Sequence, residues 1–148
     1  MRLTSFTDYG LRVLMRLAGA PGTRFTTEAL AREFAVSRNH LVKVVGELVQ
    51  AGLVESRKGA GGGIRLAEGA NRVSLGAVIR RLEGDAPLVE CFRDDGGGCT
   101  LTPGCLLRGR LSEAREVFLR ELDKTPLIDC AWPPGGGGNV ADSHQARL

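Results

Sequence analysis

Residues 26–67 read TTEALAREFAVSRNHLVKVVGELVQAGLVESRKGAGGGIRLA, and this stretch decides the fold. Thr26 or Thr27 is placed to cap a short helix that carries Glu28 at its positive end and buries Leu30 and Phe34. Ala35-Val36 form a tight connection, and Ser37 is placed to cap a second helix. Leu41, Val44, Val45 and Leu48 recur at helical spacing and give that helix an apolar face, which Gly52 ends. Leu53 to Arg57 and Ile64 to Leu66 read as two short strands, joined by the basic, glycine-rich run Lys58–Gly63. A helical bundle has no need of such a hairpin; a winged helix-turn-helix does.

Working outward, Phe6, Val13, Leu14 and Leu17 place an amphipathic helix upstream, with Thr4 or Thr7 as its cap. Downstream, Ser74 caps a helix with Leu75, Val78, Ile79 and Leu82 inward, closed by Gly84. The period then breaks between Asp85 and Gly104, a segment that holds Cys91 and Cys99 and runs up to Cys105. From Cys105 a long helix resumes with the stripe Leu107, Leu111, Ala114, Phe118 and Leu122, about 30 Å if it reaches Lys124. So small a domain has little for that stripe to cover, so it suits dimerisation; packing on the first helix is the alternative. The expected fold is mainly α with a small β wing: a winged helix-turn-helix plus a long C-terminal dimerisation helix. Expected domains are a DNA-binding unit over 1–72, a cysteine loop and dimerisation helix over 73–125, and a disordered tail over 126–148.

The 148 residues, 43% hydrophobic and 25% charged, suit a folded domain too short for a barrel or doubly wound enzyme. The apolar runs are too short to span a membrane, and the N-terminus carries Asp8, Arg12 and Arg16 among its apolar positions, unlike a signal peptide. A cytoplasmic protein is expected. Residues 1–87 hold 13 Lys and Arg against 8 Asp and Glu, whereas residues 88–148 hold 7 against 9. The basic portion points to a polyanion partner.

On the second helix of the quoted stretch, Arg38, Asn39, His40 and Lys43 lie in the first two turns, where side chains reach base edges and phosphates in a major groove. His40 reads equally as a bystander. Ser37 joins them at the helix start, Gly61 and Gly62 allow close backbone approach at the wing, and Arg57, Lys58 and Arg65 supply charge. The four cysteines are all late, at 91, 99, 105 and 130. Cys91, Cys99 and Cys105 lack the short C-x2-C turns of zinc ribbons; they wrap an iron–sulfur cluster or are unligated thiols on a loop. No hydrolase triad, zincin or phosphate-loop arrangement is present, so no enzyme is expected.

The opening MRLTSFTDYGLRVLMRLA, the run GLVESRKGAGGGIRLA, the helix SLGAVIRRLEG and the three-cysteine loop together resemble the iron–sulfur winged-helix transcriptional regulators typified by IscR and NsrR, over roughly residues 1–125. That resemblance implies that Cys91, Cys99 and Cys105 ligate the cluster. It also implies a homodimer, held by the long helix, on a pseudo-palindromic double-stranded DNA operator. The IscR-like branch places a histidine three residues after the last cysteine, where this chain has Arg108. The NsrR-like branch uses an aspartate of the first helix from the other subunit, and Asp8 stands at the matching position. The implied protein is a repressor sensing nitric oxide through a 4Fe-4S cluster, with 2Fe-2S as the other nuclearity. A carboxylate is a hard, weakly held ligand among thiolates and leaves one iron open to displacement. Asp8 also reads as the partner of Arg12 one turn on. The seven residues between Cys91 and Cys99 exceed the interval usual in that family, and Cys130 falls outside the motif. A redox or iron-status regulator of the same fold, and a small iron–sulfur electron-transfer protein, are the competing readings.

Overall fold

The computed structural model describes residues 2–84 and 87–133. Helix α1 (Ser5–Ala18) starts where the Thr4 hydroxyl accepts from the Thr7 amide, and it buries Val13, Leu14 and Leu17. Helix α2 (Thr27–Glu33) is capped by the Thr26 hydroxyl, which accepts from the Ala29 amide. A sharp turn through Ala35, at φ +53°, leads into α3 (Arg38–Gln50). Leu41, Val44 and Leu48 of α3 are fully buried against α1 and α2, as their spacing requires.

Strands β1 (Val54–Arg57) and β2 (Gly63–Leu66) pair antiparallel, with Val54 opposite Leu66 and Arg57 opposite Gly63. Two amide bonds between Phe25 and Ile64, at 2.9 and 2.8 Å, fasten this hairpin to the segment before α2. Helix α4 (Leu75–Glu83), capped by Ser74, crosses α1 at Gly10. A Cβ there would stand 2.5 Å from Leu82 Cδ1, so the glycine sets how closely the two helices meet. Thr4 closes the crossing by donating to Glu83 Oε1 through its amide (2.8 Å) and hydroxyl (3.0 Å).

Helix α5 (Leu106–Leu122) has 17 residues, about 25 Å, and ends before Lys124 because a latch stops it. Arg80 donates to both carboxylate oxygens of Asp123, at 2.7 and 2.8 Å, and the Ser74 hydroxyl adds a third bond at 3.1 Å. Helix α5 packs on α4, with Leu119 buried; among the expected stripe, Leu107 stays 63% and Phe118 36% exposed. Of that stripe Leu107, Ala114 and Phe118 are exposed, whereas Leu111 and Leu122 are half-buried.

The expected disordered tail needs correction at its start. Leu127–Cys130 form a turn of 3₁₀ helix, and the Leu127 side chain is fully buried in the core. The Leu127 amide donates to Val73 O (2.9 Å), the Leu75 amide to Thr125 O (2.9 Å) and the Trp132 amide to Met15 O (2.8 Å). Those backbone bonds, with one buried leucine, hold residues 126–132 across the end of α1. Residues 134–148 of the expected tail, His144 among them, lie outside the described residues.

Candidate nucleic-acid interface and metal centre

Ser37 occupies the N-cap position of α3 but its hydroxyl makes no capping bond, contrary to expectation, and it stands exposed at the helix start. Arg38, Asn39 and Lys43 are exposed behind it. Arg38, Lys43, Arg57 and Lys58 form no ion pair among the described residues, so their charge is uncommitted. In the wing, Gly61 sits at φ +67°, and a Cβ on Gly62 would stand 2.4 Å from Arg57 O. Glycine is therefore needed for so tight a tip, which the Gly62 amide closes by donating to Gly59 O at 2.9 Å.

Two of the expected DNA contacts also touch side chains of the protein. His40 is exposed at the start of α3 and edge-on to the Tyr9 ring of α1, centroids 6.1 Å apart. Arg65 is opposite Glu55 across the sheet and bonds to it at 2.8 Å, in a pair whose side chains stay 42% and 41% exposed. The strand register makes that pair, a signal the sequence held but which charge counting missed.

The three cysteines are free thiols on either side of a folded segment. Cys91 lies in a 3₁₀ turn, Glu90–Phe92, and is 9% exposed; Cys105 is the N-cap of α5, at the positive end of its dipole. Arg108, in the first turn of α5, donates from Nε to the Cys91 carbonyl at 3.2 Å and stands over the Phe92 ring. The residue in place of the histidine thus clasps two cysteine-bearing elements together, a role the spacing did not announce. Between them the glycine-rich insert folds on itself. Asp95 accepts from Gly97 N (2.9 Å) and from Arg93, which hold its carboxyl below the usual range, and Glu90 accepts from Gly98 N (3.0 Å). Cys99 follows, its carbonyl bonded by the Thr102 hydroxyl at 3.0 Å.

Among the described residues no three Cys, His, Asp or Glu side chains are close enough together to hold a metal ion. Asp8 is engaged by Arg12 within the same helix. The donor set nevertheless fits an iron–sulfur centre in its chemistry: three free thiols, with Arg108 of the helix that Cys105 caps bonded to the backbone of Cys91. Cys130 belongs to the C-terminal turn against α1, away from this loop in the chain's architecture.

Residues 3–131 match the family described as Rrf2, iron-dependent transcriptional regulator. Two proteins named HTH-type transcriptional regulator NsrR, from Halalkalibacterium halodurans and Geobacillus kaustophilus, are 43% and 45% identical to this chain over 130 residues. The matches cover 87% of this chain and 89% and 88% of theirs. Among solved structures, oxidised CymR of Staphylococcus aureus is similar with a TM-score of 0.67 at 28% identity, over 86% of this chain and 94% of that one.

Proposed function

The chain belongs to the Rrf2 family of iron-dependent transcriptional regulators, and from that premise we propose a homodimeric repressor that senses nitric oxide through an iron–sulfur cluster. Cys91, Cys99 and Cys105 are its thiolate ligands in this reading, with Asp8 of the partner subunit as the fourth. Bound there, a 4Fe-4S cluster supplies an iron centre that reacts with nitric oxide at the weakly held carboxylate position. The protein is placed in the cytoplasm, with its operator.

The observation that carries the reading is the clasp between Arg108 and the Cys91 carbonyl. It ties the cysteine segment to the root of α5, the helix whose outer face exposes Leu106, Leu107, Val117 and Phe118. A change in how the cysteines are held thus acts on the helix that sets the dimer. Two α3 helices must lie about 34–36 Å apart to enter successive major grooves on one face of DNA, so a shift in α5 changes affinity for the operator. Ser37, Arg38, Asn39 and Lys43 address the groove, while Arg57, Lys58 and the Gly61-Gly62 tip address the flanking backbone.

Each chain is accordingly divided into a DNA-binding unit up to residue 72 and a sensing and dimerising unit beyond it. An electron carrier has no use for the uncommitted cations on α3 and the wing. The Asp8–Arg12 pair favours a second reading within the family, a two-iron centre that reports redox or iron status without the carboxylate. Iron and acid-labile sulfide per chain, measured on oxygen-free preparations together with Mössbauer spectra, separate the two. The nitric-oxide reading expects four of each per chain, lost when Cys91, Cys99 or Cys105 becomes Ser and kept when Cys130 does. Two of each would favour the second reading, and none would end both.

A further inference from the structure

Val42 is 45% exposed on α3, directly after the fully buried Leu41. At about 100° per residue it projects on the same flank as Arg38 and beside Asn39. The opposite flank carries His40, edge-on to Tyr9 of α1 at 6.1 Å, and Glu47, paired with Arg81 of α4. Val42 therefore stands on the side of the helix that the rest of the protein leaves open. One turn on, Gly46 has no heavy atom within 4 Å of where a Cβ would be, so nothing there keeps a partner away from the helix.

An exposed valine alone is ordinary. Here its neighbours are Arg38, Asn39 and Lys43, all exposed polar side chains in the first two turns of the helix. Base edges in the major groove are almost entirely polar, and the one apolar group they present is the C5 methyl of thymine. An isopropyl group pressed on an amino or carbonyl edge strips it of water without a replacement bond. Pressed on a methyl group, it buries apolar surface on both sides. We propose that Val42 selects thymine within each half-site by contact with this methyl, while Asn39 beside it presents an amide fork suited to adenine. The proposal rests on the reading of α3 as the major-groove helix.

Duplexes are selected from a random-sequence library with the oxygen-free wild-type protein. Each thymine of the selected duplex is then replaced singly by uracil, which removes the methyl group and leaves base pairing intact. Wild type is expected to lose about 4-fold in affinity at one or more thymines per half-site, as one buried methyl group predicts. Val42→Ala is expected to bind the thymine duplex more weakly by a similar factor, to show no loss at those uracils, and to keep the wild-type salt dependence and Tm. Val42→Ile keeps the thymine preference. Equal uracil sensitivity in wild type and Val42→Ala, or indifference of the wild type to every replacement, overturns the assignment. Failure to enrich any duplex instead removes the major-groove reading itself, and the assignment with it.

Discussion

Asp8 and Arg12 are bound to each other twice, Nε and Nη2 of the arginine donating to the two carboxylate oxygens at 3.2 and 2.6 Å, with both side chains 47% exposed. Water competes for so open a pair, so it is worth only about 0.3–0.5 kcal/mol. The carboxylate is therefore available to a stronger ligand at small cost. Arg12→Ala is expected to change unfolding free energy by less than about 0.5 kcal/mol in urea titrations. Asp8→Ala is expected to be equally mild towards the fold while altering the visible spectrum and iron retention of oxygen-free protein. A spectrum identical to wild type would remove Asp8 from the ligand set.

The two wing cations differ in what they already hold. Lys58 is uncommitted, whereas Arg65 is bonded to Glu55. Lys58→Ala is expected to weaken binding to specific and unrelated duplexes alike, and to lower the slope of log affinity against log salt by about 1. Arg65→Ala is expected to lower that slope by less than Lys58→Ala does, because Glu55 competes with phosphate for Arg65. Fluorescence anisotropy across a salt series reads both.

Arg16 behaves unlike Arg12, the other arginine of α1. It is 8% exposed, bonded to Glu33 of α2 at 2.7 Å, and stacked 4.5 Å from the Phe25 ring centroid, with Nη1 enclosed and unpartnered among the described residues. Removing its carboxylate leaves a buried charge uncompensated, while an apolar replacement does not. Glu33→Ala is expected to lower unfolding free energy by about 1–2 kcal/mol, more than Arg16→Met does, although the latter removes the larger side chain. Chemical denaturation of the two variants at equal protein concentration gives the comparison.

Acid should loosen the joints of α4 first. At Glu83, burial pushes the carboxyl up, but hydrogen bonds from Thr7 and Thr4 outweigh it and leave it below the usual range. At Asp123 the Arg80 hydrogen bond, helped by Ser74, lowers the carboxyl. Both folded values lie below the unfolded ones, so their stabilisation is fully present above the ordinary carboxylate range, about 4, and disappears as pH falls through the folded values. Glu83→Gln and Asp123→Asn are expected to be less stable than wild type at pH 7, with the gap closing below about pH 4. Urea midpoints measured from pH 3 to 7 test this.

Leu127 decides the fate of the segment after α5. With the side chain fully buried, Leu127→Ala is expected to cost about 3 kcal/mol and to lower Tm by several degrees. A Tm within a degree of wild type would show that the segment contributes nothing to the core.

Helices α1 to α4 and the wing are legible in the sequence because their apolar residues recur locally at the period of the element they form, and capping threonines and serines mark the starts. What escapes such a reading is set by distant backbone bonds or by neighbours on another element. Leu127 lies in a short apolar pair with Ile128 that shows no helical or strand period, and its place follows from amides reaching Val73 and Met15. His40 belongs to the exposed face of α3 by spacing and is exposed, but its edge contact with Tyr9 of α1 has no local signal. The cysteine spacing names the thiols, while the clasp that joins two of them comes from Arg108, which the sequence showed as a missing histidine.

Oxygen-free wild-type protein bound to a fluorescent selected duplex is titrated with nitric oxide, while anisotropy and visible absorbance are followed in the same cuvette. Bleaching of the iron–sulfur chromophore and release of the duplex should progress together, and the Cys99→Ser protein should start colourless and unbound. Colourless, iron-free protein that holds the same duplex as tightly as the coloured form, with or without the gas, would mean that no metal centre governs this regulator.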